Sequence, residues 1–441
     1  MLPPGARLPS VRECARRHGV SPTTVVAAYD RLLARGLIEA RRQRGFYVRE
    51  PRGATSRAPA AAPVQRQAPI DATALIRGMF ARPRGAPLAP GLGTLPTTWL
   101  DASLLQSALR RALTQGADDL ALQYGEPAGD LRLRLALSAR LAEIGVNAPS
   151  TQIVSTLGAT HALDLISRAL LQPGDAVLVD EPGWAIEYAR LTQLGMHLLP
   201  VPRGPLGPDL AVMRSMIESH RPRIYVTVSV LHNPTGATIS LSHAHQVLML
   251  AREHDFIIVE DDTYAHLAPA HAPRLAALDD LQRTVYVSGF SKIIAPGWRV
   301  GFVATRPDLV ERIIGTKLLS TLSTPVLLER AVAICLELGT LRRHAERVTA
   351  RLDAARTRSV RLAVDSGCNF VAPPQGLFGW LDVGVDTDRL AQTMHEDGWL
   401  LAPGSLFHVP QRATSLMRIN FATTQEAHFW RQLVKARRMS M

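Results

Sequence analysis

The 441-residue chain holds only three lysines, Lys292, Lys317 and Lys435, against 47 arginines. Chemistry that requires a primary amine therefore has three candidates, because a guanidinium cannot replace an amine nucleophile. Lys292 has the most distinctive setting: Ser288-Gly289-Phe290-Ser291-Lys292 follows a β-rich run and precedes Pro296-Gly297-Trp298-Arg299-Val300-Gly301. Upstream, Phe256–Val259 leads into three acids, Glu260, Asp261 and Asp262, then Thr263 and Tyr264. Alone, that triplet fits an ordinary strand end or a magnesium site as well as a working carboxylate. Val154-Ser155-Thr156-Leu157-Gly158-Ala159-Thr160 passes from a short strand into a helix. Helix-start amides and the Thr160 hydroxyl form a natural anion seat there. Cys14, Cys335 and Cys368 are odd in number and far apart, giving neither a disulfide framework nor the paired spacing of a zinc site, so no metal is expected.

These residues need a scaffold. From about residue 90, short β-rich runs (Ala176–Val179, Ile224–Val230, Phe256–Val259, Thr284–Val287, Arg299–Ala304) alternate with amphipathic stretches such as Ala159–Leu171 and Ala244–His254. The alternation predicts an α/β domain around a mainly parallel sheet, with functional residues where strands end. A tail from about Leu327, with helical patterns and a late strand Leu416–Phe421, is expected to form a smaller α+β domain. No apolar run approaches the roughly 18 residues that cross a bilayer, so a cytoplasmic protein without membrane contact is expected.

Across about residues 91–441 the sequence resembles the fold-type I pyridoxal-phosphate (PLP) family, the aminotransferase class I/II group. The resemblance implies that Lys292 condenses with the cofactor aldehyde and that Asp261 keeps the pyridine nitrogen protonated. Tyr264 and Asn233, the latter in Asn233-Pro234-Thr235-Gly236, would bond the ring hydroxyl oxygen. Gly158, Ala159, Thr160 and Arg299 would hold the phosphate. Relatives carry Ser or Thr where this chain has Gly289, so Ser288 or Ser291 is expected to compensate. Trp184, in Glu181-Pro182-Gly183-Trp184, matches the aromatic that stacks on the ring; as a residue alone it is equally a core tryptophan. Tyr124, in Gln123-Tyr124-Gly125-Glu126-Pro127, resembles the tyrosine that reaches the phosphate of a neighbouring subunit, implying a homodimer. Arg418, in Leu416-Met417-Arg418-Ile419-Asn420-Phe421, resembles the arginine that takes a substrate carboxylate, implying an amino-acid-like ligand. Each motif is weak alone, but their common order across some 300 residues is not.

The formal net charge of +12 is uneven: residues 1–52 hold eleven arginines against Glu13, Asp30, Glu39 and Glu50. Such a basic block is commonly a footprint for phosphate backbone, with solvated surface charge as the alternative. Ser10-Val11-Arg12-Glu13 has the form of a capping box and predicts a helix over Val11–His18. Ser21-Pro22 opens a second helix that Gly36 ends, and Leu37–Arg41 with Phe46–Val48 reads as a hairpin with a basic tip. This module, at residues 1–50, resembles the winged helix-turn-helix of GntR-type regulators. A Pro/Ala/Arg-rich linker follows over residues 51–90, spanning about 30 Å if flexible. Winged helix, linker and aminotransferase-like domain together resemble the MocR subfamily. That resemblance implies double-stranded DNA as partner, with Thr23 and Thr24 near base edges and Arg12, Arg31 and Arg44 on phosphates. Arg31 reads equally as an exposed helix charge. Family members carry a further helix before the Gly-x-x-Leu-Pro-Ser segment, so the module is expected to be truncated, with Val11, Val25 and Tyr29 partly exposed. The leading expectation is a transcription regulator whose DNA binding responds to an amine or amino-acid effector reacting with PLP at Lys292. The alternative is a catalytic aminotransferase with a vestigial basic arm.

Overall fold

The computed structural model describes residues 5–34, 37–41, 45–48, 89–117 and 122–440. Arg44, and the expected linker apart from residues 89 and 90, lie outside them. The chain divides into two compact units, Met1–Gln67 and Ala68–Met441.

In the first unit Ser10 caps the helix as expected, its Oγ accepting from Glu13 N, and Gly19 ends the helix Val11–His18 in the left-handed conformation. The second helix runs Pro22–Ala34, and β1 (Ile38–Arg41) pairs antiparallel with β2 (Gly45–Val48). The expectation that Val25 and Tyr29 would be partly exposed is not met. Both are buried, with Leu8, Ala15 and Ile38, while Val11 is half-buried. The cause is local: Tyr29 stands edge-on to Phe46 of the hairpin and donates its hydroxyl to Pro9 O at 2.9 Å. Wing and leading segment thus cover a face that the second helix alone would leave open.

The second unit is built on an eight-stranded sheet, ordered β3-β10-β9-β8-β7-β4-β5-β6. Its strands are β3 (Ile153–Thr156), β4 (Ala176–Glu181), β5 (His197–Gly204), β6 (Gly207–Pro208), β7 (Ile224–Thr227), β8 (Ile257–Asp261), β9 (Thr284–Gly289) and β10 (Gly301–Ala304). The five strands β9, β8, β7, β4 and β5 are mutually parallel, whereas β10 is antiparallel to both β9 and β3. Alternate residues enter opposite layers, as pleating demands. Val177, Val179, Val226 and Val259 join one cluster with the helix Ala159–Leu170, while Leu178, Tyr225 and Ile258 join another with the helix Leu241–His254. Ile224–Val230 was expected to be one strand, but β7 stops at Thr227; Val228–Val230 turn away, and Ser229 Oγ is spent on Glu260.

A second, antiparallel sheet has the order β11-β12-β14-β13, formed by β11 (Asn369–Phe370), β12 (Phe378–Asp382), β13 (Ala402–Pro403) and β14 (Leu416–Asn420). Arg418 lies on its inner strand, opposite Trp380 and Ala402. The backbone from residue 89 is laid against this sheet by Gly91 N to Leu400 O and Asn420 N to Pro90 O. Gly91 is required there, since a Cβ would stand 2.4 Å from the Leu401 carbonyl carbon. Among the described residues no helix is long and apolar enough to cross a membrane.

Replacing Tyr29 by Phe should keep the ring contact and lose the bond to Pro9. The first unit should lose about 0.5–1.5 kcal/mol, read as faster amide exchange in the helix Val11–His18.

Candidate functional site

Strands β4, β7, β8 and β9 end along one edge, at Glu181, Thr227, Asp261 and Gly289. The loops beyond carry Trp184, Asn233, Tyr264 and Lys292. Parallel strands thus gather residues from distant parts of the chain, as open α/β sheets do.

Asp261 is buried, and its Oδ1 accepts from Thr263 twice, from the backbone N at 3.1 Å and from Oγ1 at 2.5 Å. Burial pushes the carboxyl up to about 7; Glu187 and Asp262 add to that, and the Thr263 hydroxyl opposes it. Trp184, half-buried at the start of the helix Ala185–Gln193, lines a narrow cavity with Val228, His232 and Asp261. Burial pushes the Lys292 amine down to about 8, aided by the Arg418 and Arg299 cations and opposed by Asp261. Asp261, Arg299 and Arg418 are therefore each within electrostatic reach of Lys292.

Arg418 is 4 % exposed. Its Nη1 donates to Asn233 Oδ1 at 2.8 Å, its Nη2 donates to Gly91 O at 2.5 Å, and its Nε has no partner. The guanidinium lies over two rings, 4.5 Å from the centroid of Phe378 and 5.1 Å from that of Phe407. Burial lowers its value to about 10, and Tyr264 is the group that opposes this. Tyr264 stands perpendicular to Phe378, and burial raises its hydroxyl well above the usual phenol range.

The expected anion seat is built around glycines. Gly158, at φ 80°, precedes the helix Ala159–Leu170, whose start carries no side-chain cap. Arg299, itself left-handed at φ 51°, donates to Leu157 O at 2.8 Å and to Ser291 Oγ at 3.2 Å. A Cβ on Gly158 would come within 2.7 Å of Arg299 Nη2, and one on Gly301 within 2.6 Å of Gly158 Cα. Thr160 is exposed in the first helical turn, beside half-buried Ala159. Of the two serines expected to offset Gly289, Ser288 is already committed, donating to Asp262 O at 2.8 Å; Ser291 is the one beside the seat. Gly289 itself is confined, since a Cβ there would stand 3.2 Å from Val300 O.

The strand ends of the parallel sheet thus gather Lys292, Asp261, Tyr264, Asn233 and Trp184, and β14 of the second sheet adds Arg418, with Gly158, Ala159, Thr160, Ser291 and Arg299 beside them. Tyr124 is the exception: it is 83 % exposed and makes no hydrogen bond or ring contact to the others among the described residues. In the first unit Arg12, Thr23, Thr24 and Arg31 are all exposed. Thr24 has a further task, because its backbone N and hydroxyl both bond Ser21 Oγ at the helix start. Sequence reasoning missed Thr263, Phe378 and Phe407. Only Thr263 left a local signal, as a hydroxyl two residues after an aspartate in a turn.

The residues fit PLP. An uncapped helix start with an arginine suits its phosphate, a buried carboxylate suits a protonated ring nitrogen, and a desolvated amine suits its aldehyde. The unpartnered Nε of Arg418 leaves capacity for a further anion.

Two measurements on protein without added cofactor check these electrostatics. Reductive methylation of Lys292 should accelerate with pH about a midpoint near 8, against about 10.4 for an unperturbed lysine, as peptide mapping would show. The Asp261 carboxyl, raised from 3.8 to about 7, retains in the folded state a proton that the unfolded chain releases. Its contribution to stability therefore falls as pH rises through that window. Asp261→Asn should accordingly raise stability at pH 8, by about 1–4 kcal/mol, and leave it nearly unchanged at pH 4.

Residues 93–431 match the family model of aminotransferase class I and II, and residues 1–48 match that of bacterial regulatory proteins, gntR family. The 2-aminoadipate transaminase of Thermus thermophilus is 30% identical over 69% of this chain and 78% of its own. The uncharacterized HTH-type transcriptional regulator YdcR of Escherichia coli is 28% identical over 95% of this chain and 91% of its own. The crystal structure of LysN, the alpha-aminoadipate aminotransferase of Thermus thermophilus complexed with N-(5'-phosphopyridoxyl)-L-leucine, superposes with a TM-score of 0.75 at 25% identity, over 83% of this chain and 94% of that one. The chain thus belongs to the aminotransferase class I and II family, with PLP as its cofactor and a GntR-type DNA-binding domain joined to it as in MocR-like regulators.

Proposed function

We propose that this protein is a transcription regulator whose affinity for DNA is set by an amine or amino acid that reacts with PLP held at Lys292. The observation that carries this reading is the joining, in one chain, of an exposed basic winged module to an assembled site of Lys292, Asp261, Asn233 and Arg418. PLP, when bound, supplies an aldehyde that captures amines and a ring that draws electrons from them.

The chain's own residues do the rest. Lys292 offers an amine that burial keeps partly neutral near physiological pH, as a nucleophile must be. Asp261, steadied by Thr263, holds the negative charge that a protonated ring nitrogen needs. Arg299, Ser291 and the amides from Gly158 onward anchor phosphate. Arg418 orients a carboxylate, with Asn233 fixing its fork. An effector alters DNA affinity only if it binds two arrangements of the protein unequally.

The reading also includes a homodimer. Leu122 and Tyr124 are exposed, as are Leu319 (93 %) and Leu322. The two segments adjoin, since a Cβ on Gly125 would touch Thr324 O and Val326 Cγ2. A second copy would cover this apolar surface and receive Tyr124 at its phosphate seat.

The second reading is a catalytic aminotransferase, favoured by the completeness of the site and by transaminases among the relatives. Lys292 would then also carry the proton between the substrate α-carbon and the cofactor. Fluorescence anisotropy on DNA flanking the protein's own gene separates the two. A regulator should show DNA affinity that changes with PLP and with members of an amine panel, and Lys292→Ala should abolish the response. Unchanged affinity throughout, together with ordinary turnover of an amino acid and a keto acid, would favour the enzyme.

A further inference from the structure

One buried charged cluster takes no part in the chemistry above. Lys317, near the end of the helix Pro307–Ser320, is 0 % exposed, in a chain that uses arginine for nearly every other cation. Its ammonium meets three oxygens: Ser155 O at 2.9 Å, Ser155 Oγ at 3.3 Å and Thr324 Oγ1 at 3.4 Å. An ammonium has three protons to place, so this set satisfies it, and a planar guanidinium would not fit the same radial arrangement. The counter-charge is one bond removed. Thr324 Oγ1 donates to Glu329 Oε1, and Glu329 Oε2 accepts from Asp130 N at 2.8 Å. Loss of Lys317 or Glu329 would strand the opposite buried charge, and loss of the Thr324 hydroxyl would break the link between them.

Both ends of the cluster lead toward phosphate. Ser155 sits on β3, two residues before Leu157, whose carbonyl receives Arg299, and three before Gly158. Thr324 backs the segment that carries Tyr124: a Cβ on Gly125 would stand 3.5 Å from Thr324 O. The same segment is tied to β3 by Ser155 N to Ala128 O at 2.8 Å. At Gly129 the approach is so close that a Cβ would fall 2.0 Å from Ser155 Oγ.

We infer that Lys317 is a positioning residue that couples the phosphate seat of its own subunit to the Tyr124 segment lent to the partner. The inference rests on the dimer reading of Tyr124 given above. It implies that each subunit's cofactor site is braced by the same ammonium that braces its contribution to the other, so PLP binding at one site is felt at the second.

The test is a double-mutant cycle on the full chain, read as PLP affinity by equilibrium titration and as the phosphorus NMR resonance of bound PLP. Thr324→Val keeps the shape and removes the bridging hydroxyl; Lys317→Met removes the charge. Each, and Tyr124→Phe, should weaken PLP binding about tenfold, and each double variant by well under the hundredfold that independent sites would give. The phosphorus resonance should move in Thr324→Val, which a loss of general stability would not produce. Additive losses with an unmoved resonance would overturn the coupling, and wild-type affinity in both Thr324→Val and Lys317→Met would overturn the positioning role. If Tyr124→Phe alone binds PLP normally, the dimer reading fails and the coupling with it, whatever the other two variants show. Should Lys317→Met not fold, Thr324→Val with Tyr124→Phe completes the cycle.

Discussion

The arrangement depends on charged groups taken out of water without being paired to one another. Asp261 and Arg418 both sit close enough to perturb Lys292, yet among the described residues none of the three forms an ion pair with another. Ordinary interiors neutralise such groups directly. Here Thr263 holds Asp261, Asn233 and two aromatic rings hold Arg418, and the amine is left displaced toward neutrality. The site is a set of polar surfaces with bonding capacity left over, such as the Arg418 Nε, and the surrounding fold must be rigid enough to bear the imbalance.

That rigidity comes from packing on both sides of the parallel sheet and from glycines where chains cross. Gly91, Gly158 and Gly301 each occupy a place where one extra carbon would strike backbone or the Arg299 guanidinium. The proposed seat for phosphate is strand β3, strand β10 and the turn before the helix Ala159–Leu170 pressed together. Substitution at Gly301 would displace the seat without touching any charged group.

Much of this was legible because the chemistry sits in short, contiguous stretches. Asp261, Tyr264, Asn233 and Lys292 each follow a β-rich run, so alternation set them near strand ends, while their roles rested on the resemblance. What was not legible depends on partners far apart in sequence. Phe407 and Phe378 meet Arg418 only once the antiparallel sheet has formed, and Ser288 and Ser291 are distinguished only by which of them faces Asp262 O. Burial of Val25 and Tyr29 was misjudged for the same reason: the cover comes from the wing and from Pro9, not from a neighbouring helix. Gly289 looked like a gap in a phosphate motif, whereas its position against Val300 leaves little space for a hydroxyl-bearing side chain.

The stacking of Arg418 between Phe378 and Phe407 bears on which small molecules the protein would notice. A guanidinium facing two π clouds is partly screened, which lets it persist without a counterion. A plain amine would leave that state as it is, whereas a molecule bearing both an amine and a carboxylate would also relieve the unmatched cation. With Arg418 taking an effector's carboxylate, as proposed, the arginine held by these two rings would discriminate between metabolites that differ only by an acid group.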